Sequence, residues 1–432
     1  MTRVRQIELT LPSIGEMEPI DDWTFNGAPT RELTHCYHDY PARMIPQVAG
    51  KLLDTFGQGA ELLFDPYCGT GTSMVEALIR NINAAGTDLN PLARLISQAK
   101  TTLINKRVLK TELRTFYNHL TSARSRSYRN APSEILGVTR LDFWFKPKVI
   151  AKLAYIDKFI KRIKNQKVKL FFQVAFSETV RESSNTRTAE FKLYRYDPKR
   201  LNRFNPDVFG IMCHKLERNR KGFENFLTFM NQFATKPRAK IHHFNTVEGM
   251  PSRSFKPRSI DIVITSPPYG DSHTTVAYGQ YSRLSSAWLA LEEPHKVDSA
   301  LMGGKIYKEM TSFPSAVLND ALTKITQQNR KRGLEVASFY LDLQRSITNI
   351  VPFIRSGGHA CYVVGNRKVK GIVLPTHDAI KCFFQEHGFE HIHTFNRSIP
   401  NKRMPLKNSP TNVAGVHDAT MTREYIVVMR RT

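Results

Sequence analysis

The sequence lacks the cysteine patterns of disulfide-rich and zinc-binding proteins. Its 432 residues include five cysteines that stand far apart, and no Cys-x-x-Cys pair occurs. We therefore expect neither a disulfide framework nor a zinc knuckle. His35, Cys36 and His38 lie close together, but no second pair stands at metal-site spacing, so no metal centre is expected. A reducing cytoplasm is the expected location.

Long hydrophobic runs are also missing. No apolar stretch approaches the roughly eighteen residues of a membrane-spanning helix. The first ten residues carry charges but no apolar core, so no secretory signal is expected. Hydrophobic residues still make up 41% of the chain, which is typical of a folded protein with a substantial core.

Acidic residues are scarce relative to basic ones. The chain has 38 Asp and Glu against 63 Lys and Arg, a net charge of +25. Residues 101–240 hold 31 of the basic and 11 of the acidic residues, with Tyr and Phe interleaved. Phosphate backbones attract such a field, and planar side chains can stack on bases. A solvated helix face explains any single cluster, but the whole segment indicates a nucleic-acid-binding insertion.

Outside this segment, strand-like and helix-like patterns alternate. Strand patterns occur at residues 61–65, 84–88, 241–245, 260–265, 359–364, 389–395 and 425–429, and helical patterns at 73–81, 90–100, 337–354 and 377–387. Ser-Gly-Gly at 356–358 is expected to end the long helix. The alternation predicts an α/β fold with a doubly wound, mostly parallel sheet. It divides the chain into residues 1–100, the basic insertion 101–240, and residues 241–432.

A glycine-containing turn follows the first strand pattern. Residues 65–72 read Asp-Pro-Tyr-Cys-Gly-Thr-Gly-Thr, and two glycines two apart let a backbone approach a ligand at the start of a helix. The turn has neither the Gly-x-Gly-x-x-Gly spacing of dinucleotide-binding loops nor the Gly-Lys of a phosphate-binding loop. Asp88 closes the next strand, where a carboxylate can accept both hydroxyls of a ribose. Taken alone, the two glycines are more typical of an ordinary tight turn.

A second motif directly follows the strand pattern at 260–265. Residues 265–270 read Thr-Ser-Pro-Pro-Tyr-Gly, and the two prolines hold the backbone extended and rigid. The Ser266 hydroxyl and a Pro267 carbonyl are then acceptors for the hydrogens of an exocyclic amine. Tyr269 offers a flat face on which a flipped base can stack. Such a set indicates chemistry on an amino-bearing planar ring.

Together, these motifs resemble those of the DNA methyltransferases that methylate amino groups. Residues 65–72 are similar to the Asp-Pro-Phe-Cys-Gly-Ser-Gly-Thr signature of that family, and Ser-Pro-Pro-Tyr is the form typical of cytosine-N4 enzymes. Residues 40–46 resemble the segment over the methionine end of the cofactor, and residues 88–93 the segment around the ribose-binding acid. The resemblance covers residues 37–100 and 241–432. It implies a Rossmann-like class I methyltransferase fold with a seven-stranded sheet, and S-adenosylmethionine as cofactor.

The resemblance also implies roles for individual residues. The cofactor-binding set comprises Tyr40, Pro41, Asp65, Pro66, Cys68, Gly69, Gly71, Thr72, Asp88, Asn90 and Asn245, with Glu248 as the alternative to Asn245. The catalytic, base-binding set comprises Ser266, Pro267, Pro268 and Tyr269. Methyl transfer would be a direct displacement that depends on positioning and desolvation, without a covalent adduct.

Candidate DNA contacts come from the distribution of cations. Residues 181–188 are expected to form a polar loop. Arg side chains in the polar stretch 177–188 can read base edges, but an ordinary polar loop explains that stretch equally well. A loop near residues 396–405 can clamp phosphates. The nucleic-acid-binding set comprises Lys161, Arg162, Lys164, Arg181, Arg187, Arg397, Lys402 and Arg403. Double-stranded DNA is the expected partner, with a separate restriction endonuclease of a restriction–modification system as a second.

Several alternatives stay open on sequence alone. Carbon-5 methylation of cytosine needs a Pro-Cys dipeptide, which is absent. Adenine N6 is not excluded, because the Ser form of the motif occurs in that class as well. An RNA or tRNA base methyltransferase of the same fold is a further alternative. A nucleic-acid-binding protein with a degenerate fold is the non-enzymatic one, but both motifs are intact.

Overall fold

Seven strands form the sheet that organises the described part of the chain. The computed structural model describes residues 23–123, 135, 138–187, 192–270, 277–292, 297–399, 407–408, 418–419 and 421–432. The strands are β1 (Leu62–Asp65), β2 (Asn83–Thr87), β3 (Ala239–His242), β4 (Ile260–Thr265), β5 (Ile354–Val364), β6 (Phe389–Ser398) and β7 (Arg423–Arg431). Their order across the sheet is β3-β2-β1-β4-β5-β7-β6.

Parallel pairing dominates this sheet. Strands β3, β2, β1, β4 and β5 pair in parallel, whereas β7 is antiparallel to both β5 and β6. Strand β4, Ile-Asp-Ile-Val-Ile-Thr, is almost entirely buried, as expected for a central parallel strand covered on both faces. The predicted α/β sheet with seven mostly parallel strands is confirmed.

Fourteen α-helices accompany the sheet within the described residues. They are α1 (Pro46–Phe56), α2 (Thr72–Leu78), α3 (Pro91–Thr101), α4 (Lys106–Ala123), α5 (Leu141–Trp144), α6 (Pro147–Arg162), α7 (Gln166–Ser183), α8 (Pro198–Arg203), α9 (Val208–Met230), α10 (Tyr278–Trp288), α11 (Val297–Ala300), α12 (Ala316–Gln328), α13 (Arg330–Ile350) and α14 (Thr376–Gln385). No helix in these ranges combines the length and apolar character needed to cross a membrane.

The two faces of the sheet carry separate hydrophobic clusters. Successive side chains of a strand point to opposite faces. In β7, Ile426 and Val428 pack in the cluster that contains α1 and α2, whereas Val427 and Met429 pack in the one that contains α12, α13 and α14. This alternation produces the doubly wound arrangement, with helices on both faces.

The basic segment contributes α4 to α9, which lie in the chain between α3 and β3. Buried residues of α4, α6, α7 and α9 share one hydrophobic cluster with α3 and with Trp288 of α10. The segment is therefore packed against helices of the sheet rather than held apart from them. Its boundaries at residues 101 and 240 stay a prediction.

Two local predictions are wrong. Helix α13 ends at Ile350, and residues 356–358 lie inside β5, where Gly357 has a φ of 72°. The pairing with β4 shifts at this point, from Ile354 opposite Ile260 to His359 opposite Ile262, so the glycines form a bulge instead of a helix stop. The second error concerns the polar loop expected at residues 181–188, because residues 181–183 belong to the end of α7. The preceding turn of α7 packs against α10, where Ser285 Oγ donates to the Ser177 carbonyl oxygen (2.6 Å).

Candidate functional site

A cleft opens at the carboxyl ends of β1, β2, β3 and β4, the edge where open α/β sheets bind ligands. The predicted residues that line it are Tyr40, Pro41, Asp65, Pro66, Cys68, Gly69, Thr72, Asp88, Asn90, Asn245, Ser266 and Pro268. Stretches of chain separated by about 200 positions thus meet at one place. Gly71, Pro267 and Tyr269 are not among the lining residues.

Asp65 connects three elements below the cleft. Its carboxylate accepts hydrogen bonds from the hydroxyls of Ser73 and Thr265 (2.6 Å for Thr265) and from the Tyr67 N–H (3.1 Å). These partners belong to α2, β4 and the turn after β1, so Asp65 fixes the turn to both neighbours. The side chain is buried, and burial raises the pKa of this carboxyl to about 6.

The two glycines of the turn serve different purposes. Gly69 and Gly71 have φ of 48° and 71°, in the left-handed region that favours glycine. Gly69 lines the cleft, and its N–H donates to Asp88. A Cβ on Gly71 would lie 2.4 Å from Ser97 Oγ of α3, so Gly71 permits the close approach of α2 to α3.

Asp88 stands beside this turn at the end of β2. One carboxylate oxygen accepts the N–H of Gly69 (2.9 Å), and the other accepts the N–H of Asn90 (2.8 Å). Each oxygen retains a further lone pair, so the half-buried carboxylate can also accept two hydroxyls of a ribose. Burial raises the pKa of Asp88, and the two N–H donors oppose that rise.

Tyr40 and Asn90 form one wall of the cleft. Asn90 Nδ2 donates to Tyr40 Oη (2.8 Å) and to Ser282 Oγ of α10 (3.2 Å). The Tyr40 ring stacks on Tyr278, with centroids 5.8 Å apart, and meets Tyr281 edge-on at 5.6 Å. Sequence reasoning missed Tyr278 and Tyr281. Their only sequence signal was a pair of tyrosines three apart, shortly after the second motif.

Another part of the cleft lining is largely apolar. Phe244 and Val247, in the loop after β3, line the cleft with Leu301 and Met302, and all four were missed. Asn245 lies among them, and its side chain is held by the Val247 N–H (3.0 Å) and by Glu248 (3.3 Å). Glu248 itself is exposed and is not among the lining residues. Such a wall suits a planar ring better than a charged group.

The second motif stands where β4 ends. Ser266 and Pro268 face the cleft, and Ser266 Oγ donates to Tyr269 Oη (3.3 Å). Tyr269 Oη donates in turn to Glu424 Oε1 of β7 (2.8 Å). Burial first, and the charge of Glu424 second, raise the pKa of Tyr269 well above its usual value. Cys68 is not poised as a nucleophile, because burial raises the pKa of its thiol.

The candidate DNA contacts fall into two groups. Lys161, Arg162, Lys164 and Arg187 are exposed. Arg181 is buried, with its guanidinium 3.8 Å from the centre of the Tyr281 ring, and in this position it cannot reach a base edge.

Arg397 also departs from its prediction. It is a buried residue of β6 rather than part of a rim loop, and its guanidinium pairs with Glu424 (2.6 Å) instead of facing phosphates. Lys402 and Arg403 lie outside the described residues. Within the described residues, no cluster of three or more His, Cys, Asp or Glu side chains is arranged to hold a metal ion.

Comparison with known proteins identifies a relative that matches nearly the whole chain. No protein-family model matches it. The type II methyltransferase M.MvaI of Kocuria varians is 40% identical over 419 residues, which cover 93% of this chain and 92% of that protein. A shorter match of 66 residues, at 32% identity, links 15% of the chain to 12% of the type II methyltransferase M.MjaII of Methanocaldococcus jannaschii.

Solved structures are more distant. The rRNA methyltransferase aviRa of Streptomyces viridochromogenes is 9% identical, with 91% of this chain and 88% of that chain covered and a TM-score of 0.31. TrmN of Thermus thermophilus is 8% identical, with 90% and 49% covered and a TM-score of 0.27. At these values the likenesses carry no inference about function.

Proposed function

Because the chain belongs to the type II methyltransferase family, we propose that it transfers a methyl group to the exocyclic N4 amine of cytosine in double-stranded DNA. The observation that carries the methyl transfer is the meeting of the 65–72 turn, Asp88 and Ser266 in one cleft. The choice of cytosine N4 rests on the Ser-Pro-Pro-Tyr form of the second motif. Site-specific DNA methylation in a restriction–modification system is the biological setting of this family. A separate endonuclease is the expected partner.

S-adenosylmethionine is the methyl donor, and the residues of the cleft fit it. Asp88 has lone pairs available for the ribose hydroxyls, beside the Gly69 backbone. The apolar wall of Phe244 and Val247 suits the adenine ring, and Tyr40 with Pro41 suits the methionine end. When bound, this cofactor supplies a methyl group activated by a positively charged sulfur.

The target base is held by the second motif. Ser266 Oγ and the Pro267 carbonyl accept the two hydrogens of the amine, which directs the nitrogen lone pair into the cleft. The rigid Pro-Pro backbone keeps these acceptors in place without further ordering. No covalent adduct is required, and the buried thiol of Cys68 offers none.

DNA is held by the exposed cations of the basic segment. Lys161, Arg162 and Lys164 stand together at and just after the end of α6, and Arg187 adds a fourth charge. Contacts of this type neutralise phosphates and position the duplex without reading its sequence.

The test is transfer of a radioactive methyl group from S-adenosylmethionine to duplex DNA of mixed sequence, followed by nucleoside analysis. N4-methylcytosine is the expected product. Formation of N6-methyladenine instead would support methylation of an exocyclic amine but contradict the choice of cytosine as the target base. Absence of both products, from folded protein that binds S-adenosylmethionine, would refute the function.

A further inference from the structure

A chain of hydrogen bonds connects the base-binding motif to the last strand of the sheet. Ser266 Oγ donates to Tyr269 Oη, which donates to Glu424 Oε1. Glu424 Oε2 accepts from Arg397 Nη1 (2.6 Å), and Arg397 Nε donates to the Trp23 carbonyl oxygen (3.1 Å). The side chains of Glu424 and Arg397 are 14% and 5% exposed. Neither residue belongs to a recognised motif.

The Arg397–Glu424 pair, at the far end of this series of hydrogen bonds, determines which group donates in each of them. A guanidinium can only donate, and the carboxylate paired with it can only accept. Tyr269 must therefore donate to Glu424, and its raised pKa means that it retains the hydrogen to do so. The Tyr269 oxygen is then left to accept, so the Ser266 hydrogen is directed towards it. The lone pairs of Ser266 remain for the cleft.

We propose that Glu424, held by Arg397, is a positioning residue that makes Ser266 a hydrogen-bond acceptor and thereby selects bases with an exocyclic amine. An amine presents N–H donors to these lone pairs, whereas a carbonyl oxygen at the same position presents further lone pairs and is repelled. This inference rests on the proposed function, because it concerns the base that Ser266 contacts. It adds a determinant of base choice on β7, more than 150 positions from the motif in sequence.

Substitution Glu424→Gln tests the proposal because it reverses the chain at nearly constant shape. Arg397 has only donors, so the glutamine oxygen faces it and the glutamine NH₂ faces Tyr269. Tyr269 then donates to Ser266, and Ser266 donates into the cleft. We expect kcat for methyl transfer to fall about 10- to 100-fold, as expected when a buried donor faces another donor and lacks an acceptor.

Base discrimination is the more specific readout. Two duplexes carry cytosine or uracil at the position that the wild-type enzyme methylates. Wild-type protein should bind the cytosine duplex more tightly, and Glu424→Gln should shift the ratio of the two Kd values about tenfold towards uracil. If the role of Glu424 were purely structural, the substitution would weaken the binding of both duplexes equally.

Tyr269→Phe provides a second route that does not disturb the Arg397 pair. Without the Tyr269 oxygen, the Ser266 hydrogen is released to meet a carbonyl, so discrimination should decrease. In this background Glu424→Gln should have no additional effect on the ratio, because the connection to Ser266 is already broken. If Glu424→Gln fails to fold, an unchanged ratio in Tyr269→Phe still refutes the proposal.

Glu335→Gln is the matched control. Glu335 pairs with Arg332 within α13 (2.6 Å) and its side chain is 21% exposed, so the same substitution is made in another carboxylate–guanidinium pair. It should leave kcat and the Kd ratio within about twofold of wild type. Wild-type values in Glu424→Gln, or equal losses in Glu335→Gln, would overturn the inference. Failure of the proposed function is distinct, since the wild-type protein itself would then form no methylated amine.

Discussion

The cleft and the basic segment differ in what decides the role of a polar residue. In the cleft, Asp65, Asp88 and Ser266 were predicted from local motifs, and all three line it. In the basic segment, Lys161 was predicted from a cluster of charge and Arg181 from the ability of its side chain to read a base edge. Lys161 is exposed, whereas Arg181 is buried against Tyr281. A motif next to a predicted strand shows where its residues lie relative to the end of that strand. A basic residue by itself does not show whether its side chain is exposed or buried.

The substitution Ser266→Ala is expected to have the largest effect on activity, and it tests the cleft side of this comparison. Loss of the acceptor should lower kcat about 100- to 1000-fold, by analogy with the removal of one preorganised hydrogen-bonding group from an active site. The Kd for S-adenosylmethionine should stay unchanged, since Asp88 and Tyr40 are not altered. Single-turnover kinetics and calorimetric titration measure the two quantities. A parallel loss of cofactor binding would show that the two halves of the cleft are not separable.

Asp65 should reveal itself in the pH dependence of stability. Burial raises its pKa from 3.8 to about 6, so the folded state favours the protonated carboxyl. The protonated Asp65 therefore stabilises the folded state fully below about pH 4, and this contribution is lost as the pH rises through 6. Relative to Asp65→Asn, the free energy of unfolding of the wild type should fall by about 3 kcal/mol over that interval. Denaturant titrations at several pH values measure it, and parallel curves for the two proteins would contradict it.

Asp88→Ala should act on the cofactor rather than on the chemistry. Loss of the ribose acceptor is expected to raise the Kd for S-adenosylmethionine about tenfold. At saturating cofactor, kcat should be reduced much less. Asp54→Ala, which removes an exposed carboxylate paired with Arg80 (2.7 Å) outside the cleft, is the control and should leave the Kd unchanged.

Removing surface charge from the basic segment is expected to have the smallest effect. It tests the part of the comparison that concerns this segment. Replacing Lys161, Arg162 and Lys164 with Gln should weaken DNA binding and lower the slope of log K against log salt by about 2 to 3. Cofactor affinity should not change.

The matched control replaces Lys324, Arg330 and Lys331 with Gln. These residues are exposed on α12 and α13, and Lys324 pairs with Asp320 (2.6 Å) much as Lys161 pairs with Asp157 (2.6 Å). Equal slopes for both triple variants would mean that net charge, rather than the basic segment, binds the DNA.

Much of the framework was predictable from local sequence. Each of the seven strand patterns overlaps a strand of the sheet. The pattern is clearest for the central strand β4, because buried parallel strands are continuous apolar runs with sharp ends. Most of the cleft residues missed by sequence reasoning are apolar or aromatic, as with Phe244, Tyr278 and Met302. Such residues are ordinary in any core, and only the surrounding fold turns them towards a ligand.

The shared location of residues 65–72, Asp88 and Ser266 could be predicted from the sequence alone. Each stands at the end of a parallel strand, and such strands end at one edge of a sheet. The burial of Arg181 and Arg397 was decided by tertiary structure alone. So was the link from Ser266 through Tyr269 to Glu424, because β7 runs antiparallel beside β5 and brings Glu424 to the cleft edge. Partners distant in sequence have no local pattern, and packing alone selects them.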